Sequence, residues 1–200
     1  ATNGRPGPVV IALPEDMLVE RAIVPDAQTF EPIETWPGLT DMSRLQKMLW
    51  AAKRPVMILG GSRWSDKAWA ATQRFAERFD IPVTTTFRRG HLFDQTHRNY
   101  AGDLGIGVNP KLLARIKSSD LVIVVGSRMG EMPSQSYTLF DIPSPQQPFV
   151  HVHPDPDELG RVYRPTLAIN ASPTAFAAAL EGMQAPNAIV WSDETRTAHA

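Results

Sequence analysis

The sequence predicts an α/β domain of three layers, with a mainly parallel sheet of about six strands between helices. Three observations predict it. Short aliphatic runs, Pro55-Val56-Met57-Ile58-Leu59 and Leu121-Val122-Ile123-Val124-Val125, are apolar at successive positions and read as strands buried on both faces. Between such runs lie segments whose apolar residues recur at helical spacing. Glycine turns, Gly60-Gly61-Ser62 and Gly126-Ser127-Arg128, follow these two strands. Rossmann-like, doubly wound sheets carry such turns at their carboxyl edge, where ligands bind.

The elements follow in order. Val9-Val10-Ile11-Ala12-Leu13, closed by Pro14, reads as a strand that needs partners from a preceding domain. Residues 24–38 are rich in proline, which opposes helix and central strand, and read as an extended linker. Met42, Leu45, Met48 and Leu49 predict a helix over 40–52, with Thr40 or Asp41 as its cap. After the strand at 55–59, Ala68, Trp69, Thr72, Phe75, Ala76 and Phe79 mark one face of a helix over 65–79. A strand is expected at 81–86, then an irregular stretch to residue 109 holding Gly90, Gly102, Gly105 and Gly107. Pro110 opens a helix to residue 117, since proline suits a first turn. Strands follow at 121–125, 149–152 and 167–169, and Ser172 caps a last helix reaching Met183. The tail from 184 shows no core pattern. Trp36, Trp50, Trp64, Trp69, Phe75 and Phe79 read as core or domain-interface residues.

Composition narrows the functional classes. The 200 residues carry a formal net charge of -1, which gives no electrostatic footprint for nucleic acid or an anionic membrane. No apolar run is long enough to span a bilayer. There is no cysteine, which excludes disulfides, thiolate metal sites and a thiol nucleophile and fits a reducing cytoplasm.

The candidate site residues sit at strand ends. Gly60, Gly61 and Ser62 lie between a strand and a helix, where small residues let a phosphate approach backbone N–H groups. A tight strand-to-helix turn has the same composition, and the later glycine of the dinucleotide fingerprint is missing. Arg128 would stand at the carboxyl edge, facing either a phosphate or a nearby acid such as Glu131. His151 and His153 alternate onto one strand face beside Asp155 and Asp157, which suits a metal site or a strand end whose polar residues cap the next turn; no further ligand motif accompanies them, and no metal ligand is assigned. His91 and His97 read as solvated loop residues, and Arg88 with Arg89 as a patch for an anion or a neighbouring domain.

Taken in order, these segments resemble the central domain of thiamine diphosphate-dependent enzymes of the acetolactate synthase-like family. The resemblance rests on Gly7-Pro8-Val9-Val10-Ile11-Ala12-Leu13-Pro14, Arg54 to Gly61, Ile81 to Thr86, Ser119 to Arg128 and His151 to Gly160. It implies a DHS-like NAD/FAD-binding type of Rossmann fold. Residues 1–38 would be the end of a pyrimidine-binding domain plus linker, 39–184 the central domain, and 185–200 a linker toward a diphosphate-binding domain. Family members activate thiamine diphosphate with a glutamate in the first domain and hold it, with Mg²⁺, through a Gly-Asp-Gly…Asn motif in the third. No Gly-Asp-Gly occurs in this sequence, so no catalytic residue is assigned.

In relatives the middle domain binds FAD, ADP or nothing. The matching positions are Gly60, Gly61, Ser62, Thr86, Phe87, Gly105, Gly126, Ser127, Arg128, His153 and Asp155. Where FAD-binding relatives often carry Gly-Asp after a late strand, this sequence has Ala171-Ser172. The resemblance implies a cytoplasmic homo-oligomeric parent in which flanking domains are this domain's partners. A stand-alone nucleotide-binding regulatory module is the alternative.

Overall fold

The computed structural model describes residues 1–3 and 6–191, in two units, one of residues 1–33 and one from residue 34 onward. The first unit is extended chain with one 3₁₀ turn, Asp16–Leu18. The strand expected at 9–13 is not formed. No ladder reaches these residues and Val10 is 92% exposed. A strand is a property of two partners, and β-branched composition alone does not make one.

The second unit is built on a sheet of six parallel strands: β1 (Pro55–Leu59), β2 (Val83–Thr86), β3 (Tyr100–Leu104), β4 (Leu121–Val125), β5 (Phe149–His153) and β6 (Leu167–Asn170). Their spatial order is β3-β2-β1-β4-β5-β6, the doubly wound order. Alternation along each strand divides the core. Met57, Leu59, Ile123, Val125, Val150 and Val152 face one layer, with α1 (Leu39–Ala51), α2 (Asp66–Phe79) and α4 (Pro173–Leu180). Val56, Ile58, Val122, Val124 and Phe149 face the other, with α3 (Pro110–Lys117), Met129, Phe140 and Tyr163. The expected three-layer α/β architecture is therefore present.

Helix starts follow their capping chemistry. Ser65 Oγ accepts from Ala68 N–H, Asn109 from Lys111 N–H beside Pro110, and Ser172 from Ala175 N–H. α1 departs from expectation: its N-cap is Gly38, and Thr40 and Asp41 lie inside the first turn. There Asp41 complements the helix dipole without capping it.

Two ties were not visible in the sequence. Trp191 is buried, and its indole N–H donates to Phe79 O at 2.9 Å, so the tail contributes a core residue. Arg115 is buried at the amino end of the sheet. Its guanidinium donates to Pro55 O and Ser119 Oγ at 3.0 Å each and to Arg54 O at 3.3 Å, joining α3 to the start of β1. Arg115→Met keeps the buried aliphatic bulk but removes those donors. We expect a loss of about 3 kcal/mol, since buried acceptors left without partners carry their desolvation cost. A lowered urea midpoint at unchanged slope would report it; an unchanged midpoint would contradict the tie.

Candidate functional site at the carboxyl edge of the sheet

Strand order reverses between β1 and β4, the adjacent strands from which the chain winds in opposite directions. In such sheets the crevice outside these carboxyl ends is the usual ligand position. The sequence candidates fall along this edge. Gly60, Gly61 and Ser62 follow β1; Thr86 ends β2 and Phe87 follows it; Gly105 follows β3; Gly126, Ser127 and Arg128 follow β4; His153 ends β5, with Asp155 two residues on. The parallel topology brings to one edge residues nearly a hundred positions apart.

At the reversal the two turns touch through their backbones. Gly61 has φ +70°, and a Cβ there would overlap Gly126 O. Gly126 has φ +75°, and its Cβ would stand 2.6 Å from Gly60 O. Thr86 and Ser127 fill the space beside Gly60. Gly60 N–H donates to Val125 O at 2.9 Å and Gly126 N–H to Val152 O at 2.8 Å, extending the ladders into the turns. These glycines thus allow turn-on-turn packing, which only residues without Cβ permit.

The buried polar groups beside the β4 and β5 ends bond to the surrounding chain. His151 is 2% exposed, and its Nε2–H donates to Ser127 O at 2.8 Å. Burial pushes its imidazole down to about 4, so it is neutral at pH 7. Ser127 Oγ accepts from Met129 N–H at 3.1 Å. His153 Nδ1 accepts from Asp155 N–H at 3.1 Å, and Asp155 Oδ1 accepts from Asp157 N–H at 3.0 Å, capping the short turn Pro156–Glu158. Asn170 Nδ2 donates to His153 O and Pro154 O at 3.0 Å each. Ser62 and Arg128 are the exposed polar candidates. Among the described residues no group of three or more His, Asp or Glu side chains is placed to hold a metal ion.

The loop candidates lie elsewhere. His97 Nε2 is 3.0 Å from Glu77 Oε1, and His91 sits against Trp69. Arg88 lies over the Phe87 ring at 5.0 Å. Phe75 and Phe79 are core residues, one of the two places expected for these aromatics, and Trp36 and Trp50 are exposed. The clamp formed by His151 on Ser127 O is not among the roles its sequence suggests, which are a metal ligand or part of a strand end whose polar residues cap the next turn. Its place in a buried apolar strand was the available signal for a structural role.

Residues 42–180 match the family described as "Thiamine pyrophosphate enzyme, central domain". The chain belongs to this family. Curated relatives include the acetolactate synthase large subunit of Corynebacterium glutamicum, 29% identical over 169 residues that make up 81% of this chain and 26% of that protein. Glyoxylate carboligase of Escherichia coli O157:H7 is 30% identical over 171 residues, 84% of this chain and 28% of that protein. The crystal structure of benzoylformate decarboxylase from Polynucleobacter necessarius superimposes with a TM-score of 0.63 at 17% identity, over 86% of this chain and 32% of that one. This chain therefore spans between a quarter and a third of these proteins. The thiamine-enzyme central domain expected from the ordered motifs is the family found, and its Rossmann-like fold is the one observed.

The residues present do not fit the family's cofactor. The sequence has no Gly-Asp-Gly, and His151, His153 and Asp155 are bonded to the backbone around them. At the N-terminus of α2, next to the first glycine turn, Ser65 already caps Ala68 N–H and Asp66 places an anion in the first turn.

Proposed function

We propose that this chain is the central domain of a thiamine diphosphate-dependent lyase or transferase acting on a 2-keto acid, resembling acetolactate synthase. Its role is architectural. It joins the domains that carry thiamine diphosphate and Mg²⁺, packs against them, and contributes to a homo-oligomer in the cytoplasm. One observation carries the architectural reading: at the strand-order reversal the turns close on each other through Gly61 and Gly126, and the polar residues beside them serve the turns themselves. The exposed apolar side chains of Trp36, Leu39, Trp50 and Ile142 support packing against further chain. The domain holds neither FAD nor ADP on this reading, because the α2 terminus is capped and acidic.

Two assays test it. The purified 200-residue chain, given thiamine diphosphate, Mg²⁺ and pyruvate, is expected to release no CO₂ above the protein-free rate. Calorimetric titration with FAD and with ADP is expected to give no saturable heat. Turnover by this chain alone would end the architectural reading. Saturable FAD or ADP binding, lost in Arg128→Ala, would favour a nucleotide-binding module at the same edge.

A further inference from the structure

Away from the sheet edge, an open cavity of about 230 Å³ lies between α2 and the 3₁₀ turn Gly90–Leu92. Trp69, Gln73, His91, Leu92, Phe93 and Asp94 line it. α2 buries its other aromatic residues, Phe75 and Phe79, completely, yet leaves Trp69 36% exposed at this cavity. The Trp69 and His91 rings stand 5.9 Å apart at 59°, forming two aromatic walls. Leu92 and Phe93 belong to the core and make a fixed apolar floor.

The polar lining is rich in acceptors. Asp94 Oδ1 accepts from Thr96 N–H at 2.9 Å and Thr96 Oγ–H at 2.8 Å. These bonds hold the carboxylate in place and keep its carboxyl below the usual carboxylate range. Gln73 donates its Nε2–H to Glu77 Oε1, which leaves its amide oxygen as an acceptor. Four nearby arginines are engaged elsewhere: Arg74 with Glu181, Arg78 with Leu180 O, Arg88 over Phe87, and Arg98 toward Asp80.

An aromatic face, a fixed carboxylate and a free amide oxygen form the complement of a flat cation rich in N–H donors. A tryptophan face attracts such a cation, and the carboxylate takes paired N–H bonds from it. A lysine ammonium is a compact, strongly hydrated point charge that uses these features less well. The cavity is too small for a nucleotide but has room for the end of one long side chain. We propose that it receives the guanidinium of an arginine side chain presented by another segment of the larger polypeptide. This rests on reading the chain as one domain of that polypeptide, of which its relatives hold two thirds or more outside the matched region.

The test uses this chain and blocked amino acids. N-acetylarginine N-methylamide is titrated while the Trp69 indole N–H is followed by NMR, its signal assigned by its loss in Trp69→Phe. Saturable shifts are expected. The neutral isostere N-acetylcitrulline N-methylamide should bind about tenfold more weakly, as should the lysine analogue. Trp69→Ala and Asp94→Asn should each weaken arginine binding about fivefold at an unchanged unfolding midpoint. Equal binding of the citrulline analogue, or binding that survives both substitutions, overturns the site. Free arginine binding about tenfold tighter than the blocked form would overturn the side-chain source and identify a small-molecule ligand instead. The absence of turnover by the chain is measured separately, so failure here leaves the architectural reading standing.

Discussion

Gly61→Ala is expected to cost this domain about 4 kcal/mol, enough to leave much of it unfolded at 37 °C, given that domains have only about 5–15 kcal/mol to lose. Two effects add. At φ +70° an L-residue is strained by about 1 kcal/mol relative to glycine. The larger effect is steric. The new methyl overlaps Gly126 O, a backbone atom that cannot rotate away, so the turns after β1 and β4 must separate. That movement strains the bonds from Gly60 N–H to Val125 O and from Gly126 N–H to Val152 O, and overpacking of this kind costs about 1–3 kcal/mol. The chain supplies its own control. Gly107 has nearly the same φ, +72°, and a Cβ there would meet nothing within 4 Å. Gly107→Ala should therefore show the conformational cost alone, about 1 kcal/mol. Urea unfolding of both variants separates the two effects. If Gly61→Ala costs no more than Gly107→Ala, the turns do not depend on their contact.

The contrast between these glycines also shows what the sequence could and could not reveal. Uniformly apolar runs made β1 and β4 legible, because a strand covered on both faces has no polar position to confuse it. The sequence of β3 reads as loop. Its sequence, Tyr-Ala-Gly-Asp-Leu, contains two poor strand formers, and Gly102 sits at φ +110°. It lies at the sheet edge, pairing only with β2, where a half-exposed strand tolerates such residues. Five strands of the sheet are legible, at 55–59, 81–86, 121–125, 149–152 and 167–169, and β3 makes the sixth. Glycine turns at strand ends located the edge, yet spacing alone could not distinguish a phosphate cradle from two turns packed together. That distinction depends on the space each Cβ would fill, which only the three-dimensional structure defines.

His151 was the least legible of the residues that matter, and it leads to the second large expected effect. The domain should lose stability on mild acidification through this one side chain. Its pKa is lowered from 6.5 to about 4, first by burial and then by His153, whose ring lies 6.1 Å away. Its bond to Ser127 O and the buried carboxylate of Glu158, itself paired with Arg161 at 3.1 Å, act in the opposite direction but do not prevail. Phe149, with its ring 6.0 Å away, offers no charge to stabilise an imidazolium. Because the folded-state value lies below the unfolded one, the unfolded chain takes up the proton first as pH falls. The contribution of His151 is therefore complete above about pH 6.5 and is lost between there and about pH 4, about 3 kcal/mol in all and about 2 kcal/mol by pH 5. His151→Gln keeps an N–H donor for Ser127 O but cannot titrate. Urea unfolding at pH 7 and pH 5 should show the parent chain losing about 2 kcal/mol more than the variant. Equal losses would mean that the imidazole is not held neutral. If the effect is found, acid acts first on the turn after β4, since protonating the clamp strains the segment carrying Ser127 and Arg128 at the reversal of strand order.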